Sequence, residues 1–195
     1  MKPILFNTEM VQAILAGRKT ETRRLIRRNK HGYLIKPYEE GDVLYVRETW
    51  DFLPCITCME RDCTLKPAVY EDAEAITEGC WLYRADGDNP IGWGGHKWRP
   101  SIHMPKQAAR IFLKVTGIAA EQLCDIDEAG ANAEGLYKGW KLNGRGTMAV
   151  SARQAFMWLW QSLTYKGPIE NNWALSTILR NYLGLLEAPE EEAQG

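Results

Sequence analysis

The segment Gly17-Arg18-Lys19-Thr20-Glu21-Thr22-Arg23-Arg24 packs a glycine, an amine, two hydroxyls and three guanidinium groups into eight residues. Lys19 and Thr22 stand three apart, so a turn or a helix end brings them near one another. A lysine whose pKa is lowered by neighbouring arginines and partial burial serves as a base. A threonine hydroxyl beside such a base serves as a nucleophile. The same residue types also suit a solvated helix end, and the local sequence leaves both readings open.

Two other stretches carry polar side chains at spacings that suit a pocket. In Trp98-Arg99-Pro100-Ser101-Ile102-His103-Met104-Pro105 the two prolines predict an extended, rigid segment. Extended backbone would turn Ser101 and His103 to one side, with Arg99 beside them as a phosphate contact. In Val43-Leu44-Tyr45-Val46-Arg47-Glu48-Thr49-Trp50 the strand pattern ends with Arg47 on one face and Glu48 on the other, and Trp50 follows. Such an ending suggests a strand that stops at a polar cleft. Arg47, Glu48, Trp50, Arg99, Ser101 and His103 are therefore candidate binding residues, His103 being equally compatible with a buried, satisfied histidine.

Cys55, Cys58 and Cys63 form C-x2-C-x4-C, with Cys80 and His96 downstream. Close cysteine pairs supply two ligands of a tetrahedral zinc from one turn, so Cys55, Cys58, Cys63 and Cys80 make a candidate structural zinc site, with His96 as the alternative fourth ligand. Free reduced thiols are the competing reading, and a disulfide fits a reducing compartment poorly.

The elements that must position these groups follow from periodicity and caps. Lys2–Phe6 reads as a strand, and Thr8 as the N-cap of a helix carrying Met10, Val11, Ile14 and Leu15. Gly17 ends that helix. Gly41-Asp42 is a turn signal, and Ile111–Val115 alternates as a strand. Asp125 with Glu128, and Ser151 with Gln154, match capping boxes ahead of two further helices. The first should run to about Glu134 or Leu136; the second carries a stripe of Phe156, Leu159, Trp160 and Leu163. Leu175, Ile178, Leu179, Tyr182, Leu183 and Leu186 fall on one helical face, which predicts a C-terminal helix. Residues 51–98, rich in Cys, Gly and Asp, read as a loop-rich insertion with a short strand at Trp81–Asp86.

With 195 residues, 45% hydrophobic and 25% charged, the chain is of ordinary globular composition and long enough to bury a sizeable core. No apolar run approaches the ~20 residues of a membrane span, and the first residues lack a secretory signal pattern. The expectation is a cytoplasmic protein that makes no membrane contact. The net charge of −1 argues against a general polyanion binder. Seven basic residues nevertheless lie between Arg18 and Lys30, among them Arg23 and Arg24, against the single acid Glu21. Such a block can build a local phosphate site, or simply solvate a face.

The spacing Gly17-x-Lys19-x-x-Thr22-x-Arg24 resembles the signature of ASCH domains, relatives of the PUA fold. Most of that superfamily has glutamate at the signature position preceding the arginine. The threonine here is similar to the small bacterial N4-acetylcytidine amidohydrolases, whose local sequence is alike across Leu15–Arg23. The larger chain, with its Val46–Trp50 stretch, tryptophan-rich insert and Trp98–Pro105, resembles phage-type ASCH proteins, and the likeness covers about residues 1–165. It implies an α+β fold: a PUA-like mixed β-barrel flanked by helices, one domain over residues 1–186, followed by an acidic disordered tail at 187–195. It also implies Lys19 and Thr22 as catalytic residues together with a glutamate, best matched by Glu134, with Glu128 and Glu121 as competitors. Arg18, Arg23 and Arg24 would bind substrate. The partner implied is a modified pyrimidine nucleoside or RNA, and the proposed chemistry requires no cofactor. A non-catalytic RNA- or modified-base-binding module and a ribonuclease are the alternatives. The family usually ends in a barrel-closing strand, and the expected C-terminal helix departs from that.

Overall fold

In the computed structural model, the structure describes residues 1–25, 27, 28, 30, 31, 34, 35, 37–54, 68–71, 76–88, 97–141, 147–163 and 173–181. The elements are β1 (Lys2–Leu5), α1 (Thr8–Leu15), β2 (Glu21–Leu25), β3 (Arg27–Arg28), β4 (Leu34–Ile35), β5 (Val43–Arg47), β6 (Trp50–Pro54), β7 (Ala68–Glu71), β8 (Ile76–Tyr83), β9 (Phe112–Gln122), α2 (Glu128–Ala133), α3 (Ala152–Leu163) and β10 (Trp173–Asn181). The fold is mixed α+β. Its sheets are β1-β5-β9-β10-β2, β3-β4 and β6-β8-β7, and among the described residues none closes into a barrel. No helix among them is long and apolar enough to cross a membrane.

The chain, expected to be one domain with an insertion, divides into two compact units. The first comprises residues 1–2, 13–44 and 112–195. Its longest strand, β9, buries Leu113 and Val115 while Phe112 and Lys114 stay partly exposed, the alternation expected of a half-buried strand. Helix α1 ends in this unit as its composition predicts. Gly17, at φ +69°, donates to Ile14 O (2.9 Å) while Arg18 N donates to Ala13 O (2.9 Å). This pair of bonds satisfies carbonyls that the helix end would otherwise orphan, and the left-handed backbone favours glycine. The turn delivers the chain directly into Lys19 and β2.

The C-terminal segment corrects the expected helix. Residues 173–181 form β10, antiparallel to β9 on one side and to β2 on the other. A short apolar run reads equally as helix or strand by periodicity, and Trp173, Thr177 and Ile178 favour strand. Backbone partners on both sides decide it. The tail at 187–195 lies outside the described residues.

The caps also shift. Met10 N donates to Asn7 Oδ1 (2.9 Å), so Asn7 rather than Thr8 caps α1. Asp127, not Asp125, caps α2 by accepting from Gly130 N (2.7 Å), because Leu123–Asp125 is spent on a 3-10 turn. Glu128 instead accepts from Ala152 N (2.6 Å) and Arg153 N (3.1 Å), placing a carboxylate at the N-terminus of α3. Ser151 Oγ does accept from Gln154 N (3.1 Å) as its signature predicts. Along α3, Phe156 is buried and stacks on Trp160 at 5.6 Å between ring centroids.

The second unit comprises residues 3–12 and 45–111. The expected loop-rich insertion contains a three-stranded sheet, β6-β8-β7, with Trp50 opposite Tyr83 and Leu53 opposite Cys80. Its core is Trp50, Phe52, Met104 and Ala108, with Trp81, Tyr83 and Ala109 packed against it. Trp81 lies 5.5 Å from Trp50 and 4.7 Å from Phe52 by ring centroid, both tilted, a geometry that the ring quadrupoles favour. Sparse periodicity hid this sheet because its strands are separated by the polar stretches 55–67 and 72–75.

Candidate functional site

In the first unit, Gly17's turn and the start of β2 carry Lys19 to the end of α2. Lys19 and Glu134 are bridged backbone to backbone, and Thr20 N donates to Ala133 O (2.7 Å). The Lys19 ammonium donates to Glu134 Oε2, to Glu134 O (3.0 Å) and to Glu21 O (2.8 Å). Its side chain is 1% exposed and that of Glu134 10%. Burial pushes the Lys19 pKa down, the Glu134 carboxylate opposes that shift, and the Arg24 and Arg23 charges add to it. Gly135, at φ +90°, makes the approach possible: a Cβ there would stand 2.8 Å from Ala13 Cβ and 3.0 Å from Lys19 Cβ.

Strand β2 sorts its side chains by alternation. Thr22 is fully buried, and its Oγ1 accepts from Arg24 Nη1 (2.8 Å), whose guanidinium is exposed. Arg23 is buried, which corrects its assignment as a phosphate contact. Its guanidinium meets Glu21 Oε2 (3.0 Å), Glu121 Oε1 (2.6 Å) and Gly130 O (3.3 Å), and its backbone N–H donates to Glu134 Oε1 (2.6 Å). Glu134 thus holds Lys19 through one oxygen and the β2 backbone through the other. Of the three candidate glutamates, Glu134 meets Lys19, Glu121 pairs with Arg23, and Glu128 caps α3. Arg18 is exposed, donates to Gly135 O (3.3 Å) and lies over the Tyr137 ring at 5.7 Å.

The second unit holds the remaining candidates. Glu48 is 1% exposed and accepts both Arg110 Nε (2.9 Å) and Arg110 Nη2 (3.0 Å). Arg110 also meets Asp86 (2.7 Å) and lies over the Tyr83 ring at 3.9 Å. Burial raises the Glu48 pKa against the pull of Arg110, and it pushes the Tyr83 phenol far above its ordinary value. Glu48 is therefore part of a clasp inside the unit, not a lip of a cleft. Trp50, 1% exposed, is core; Arg99 lies over its ring at 4.9 Å, which leaves little ring for base stacking. Arg47 Nη2 donates to Ile102 O.

Residues 101–103 form a 3-10 turn, which corrects the expected extended wall. Pro100, at φ −58°, suits the start of a turn as well as it suits extended chain. At three residues per turn, Ser101 and His103 point to different sides, and His103 is exposed rather than buried.

Cys80 is buried on β8. Cys55, Cys58, Cys63 and His96 lie outside the described residues, so the zinc site does too. Among the described residues no group of three or more His, Cys, Asp or Glu could hold a metal ion.

No family model, curated protein or solved structure matches this chain.

The residues the sequence reading missed are the partners. Glu21, Glu121 and Gly135 support Lys19 and Arg23, and Arg110 and Asp86 hold Glu48. The alternation of Thr22 and Arg23 along β2 could have separated an arginine facing acids from an exposed one. Nothing in the local sequence marks Arg110 as the mate of Glu48.

Proposed function

We propose that the chain is an ASCH-type, PUA-like protein acting on a modified pyrimidine nucleoside or nucleotide, free or within RNA, by hydrolysing an N4-acyl amide. The observation that carries this reading is the pair Lys19–Glu134: residues 115 apart in sequence form a desolvated contact, with the Thr22 hydroxyl on the adjoining strand. The strand β10, found where a helix was expected, agrees with the family pattern of a C-terminal strand, though the sheet it joins is open among the described residues.

In the resting arrangement Lys19 is an ammonium with three oxygen partners. Passing one proton to Glu134 frees the amine, and its lowered pKa lessens the cost of that transfer. The amine then takes the Thr22 proton as Oγ1 attacks the acyl carbon. The C–N bond breaks, the departing amino group takes a proton back, and water releases the acyl group from Thr22. Arg24 donates to Thr22 Oγ1, a bond that would stabilise alkoxide character as the hydroxyl gives up its proton.

The test is to incubate the full chain with N4-acetylcytidine and separately with short RNAs, and to follow products by chromatography. Release of cytidine and acetate is the expected result. Binding without turnover would replace this reading with that of a binding module, which the full burial of Thr22 favours, and cleaved RNA would replace it with a ribonuclease.

A further inference from the structure

The buried pair has an exposed counterpart close by in the chain. Arg18 precedes Lys19, and Tyr137 follows Glu134 by one turn of chain. Tyr137 is 49% exposed, and the Arg18 guanidinium lies 5.7 Å from its ring centroid. One guanidinium N–H goes to Gly135 O (3.3 Å), the residue that lets Lys19 approach Glu134. Arg18 is thus tied through Gly135 to the turn that brings Glu134 to Lys19, and Tyr137 is reached by the same guanidinium.

The surroundings favour a ligand that is flat and anionic. Exposed Tyr137, Met148 and Val150 all lie in the stretch 137–150, where Gly139 N donates to Ala149 O (2.8 Å) and Ala149 N to Trp140 O (2.9 Å). Those backbone bonds bring Met148 and Val150 to the same short ladder that presents Tyr137. Lys138 beside it is exposed and adds a second cation. Arg18 lies over the Tyr137 ring, but unlike buried Trp50 this ring is half exposed, so a base can stack on the part left open while the guanidinium beside it takes a phosphate.

We infer that Tyr137 and Arg18 form a nucleotide subsite: the Tyr137 ring stacks on the base, and the Arg18 guanidinium takes the 5′-phosphate. The subsite rests on the nucleoside-directed reading above and deepens it, because it selects the phosphorylated form (a nucleotide or an RNA residue) over the free nucleoside.

Calorimetric titration of the full chain with N4-acetylcytidine and with its 5′-monophosphate tests it. The wild type should prefer the monophosphate by about tenfold, the worth of one charge-assisted contact, and the preference should shrink as salt rises. Arg18→Gln should erase the preference while leaving nucleoside affinity in place. Tyr137→Ala should weaken both ligands by about tenfold, the low range of base–aromatic stacking, and Tyr137→Phe should restore them. Both residues are exposed, so folding is not at issue. Variants that bind like the wild type would overturn the subsite and leave the proposed activity standing. A wild type that binds neither probe, yet cleaves short RNA, would overturn both.

Discussion

The two units each bury charge, and they do so with different chemistry. In the first unit, beside the buried Arg23 with its acids, stands a buried lysine, Lys19, held by Glu134 and two carbonyls. In the second the cation is an arginine, Arg110, forked onto both oxygens of Glu48 and braced by Asp86 and Tyr83. A guanidinium does not give up its proton, and its planar fork suits a static clasp. An ammonium is a point charge whose pKa falls on burial, so a Lys–Glu pair can exchange a proton. Buried charge by itself therefore does not mark a reactive site. The identity of the cation bears on it: only the Lys19 pair can exchange a proton, which is why the proposed chemistry is assigned to the first unit.

The largest effect should separate the two clusters by activity. Lys19→Met and Thr22→Val should each lower turnover of N4-acetylcytidine by about a thousandfold or more, roughly 4 kcal/mol of transition-state stabilisation. Glu48→Gln should leave turnover per folded molecule unchanged. Steady-state kinetics on folded protein decides this, and a Glu48 variant that loses turnover as Lys19→Met does would erase the distinction.

Stability should sort the other way. Glu48→Ala strips Arg110 of its buried partner and should cost about 3 kcal/mol in urea unfolding, since one charge of a buried pair is left behind. Replacing Lys19 and Glu134 together, as Lys19→Met with Glu134→Gln, removes both charges while keeping an acceptor for the Arg23 N–H, and should cost less than the sum of the single changes. A double variant that costs the full sum of the singles would contradict the assigned pairing.

Backbone sharpens the comparison within the first unit. Gly135→Ala meets both a left-handed φ and the Ala13 and Lys19 side chains, so it should cost about 2–4 kcal/mol and also lower turnover by displacing Lys19. Gly139, at φ +92° with nothing within 4 Å of a Cβ, carries only the backbone term, about 1 kcal/mol, and Gly139→Ala should leave turnover intact. Equal costs at the two positions would show that the Lys19 contact is not the constraint.

The smallest effect is in pH. The Lys19 pKa is lower folded than unfolded, so the unfolded chain binds more protons between the two values. Stability from this group should rise with pH across that window, on the alkaline side below the ordinary lysine value. The Glu48 pKa is raised on folding, so its contribution is complete below the ordinary glutamate value and is lost as pH rises through the folded value. Subtracting the stability profile of Lys19→Met from that of the wild type should isolate the first slope, and Glu48→Gln the second. Differences of the opposite sign would break both assignments.

What the sequence determined was local. Gly17 ends α1 because a left-handed residue was needed there, and Ser151 with Gln154 starts α3. The alternation of Val43 to Glu48 set Leu44, Val46 and Glu48 on one side, and all three are buried, Glu48 just past the end of β5. Lys19 and Thr22 stood out by residue type and spacing, and Glu134 by its likeness to a family pattern. The tertiary structure decided the rest, because hydrogen bonds and burial depend on what the distant chain supplies. Residues 173–181 became a strand because β9 and β2 offered backbone partners on both sides. Asp127 displaced Asp125 as a cap once a 3-10 turn had used the earlier residues. Arg23 left the list of phosphate contacts because Glu21, Glu121 and Glu134 surround it, and Glu48 turned from a cleft residue into a clasp because Arg110, far along the chain, folds onto it. Side-chain chemistry is written residue by residue, whereas the desolvation that lowers the Lys19 pKa and raises that of Glu48 exists only after the chain has closed around them.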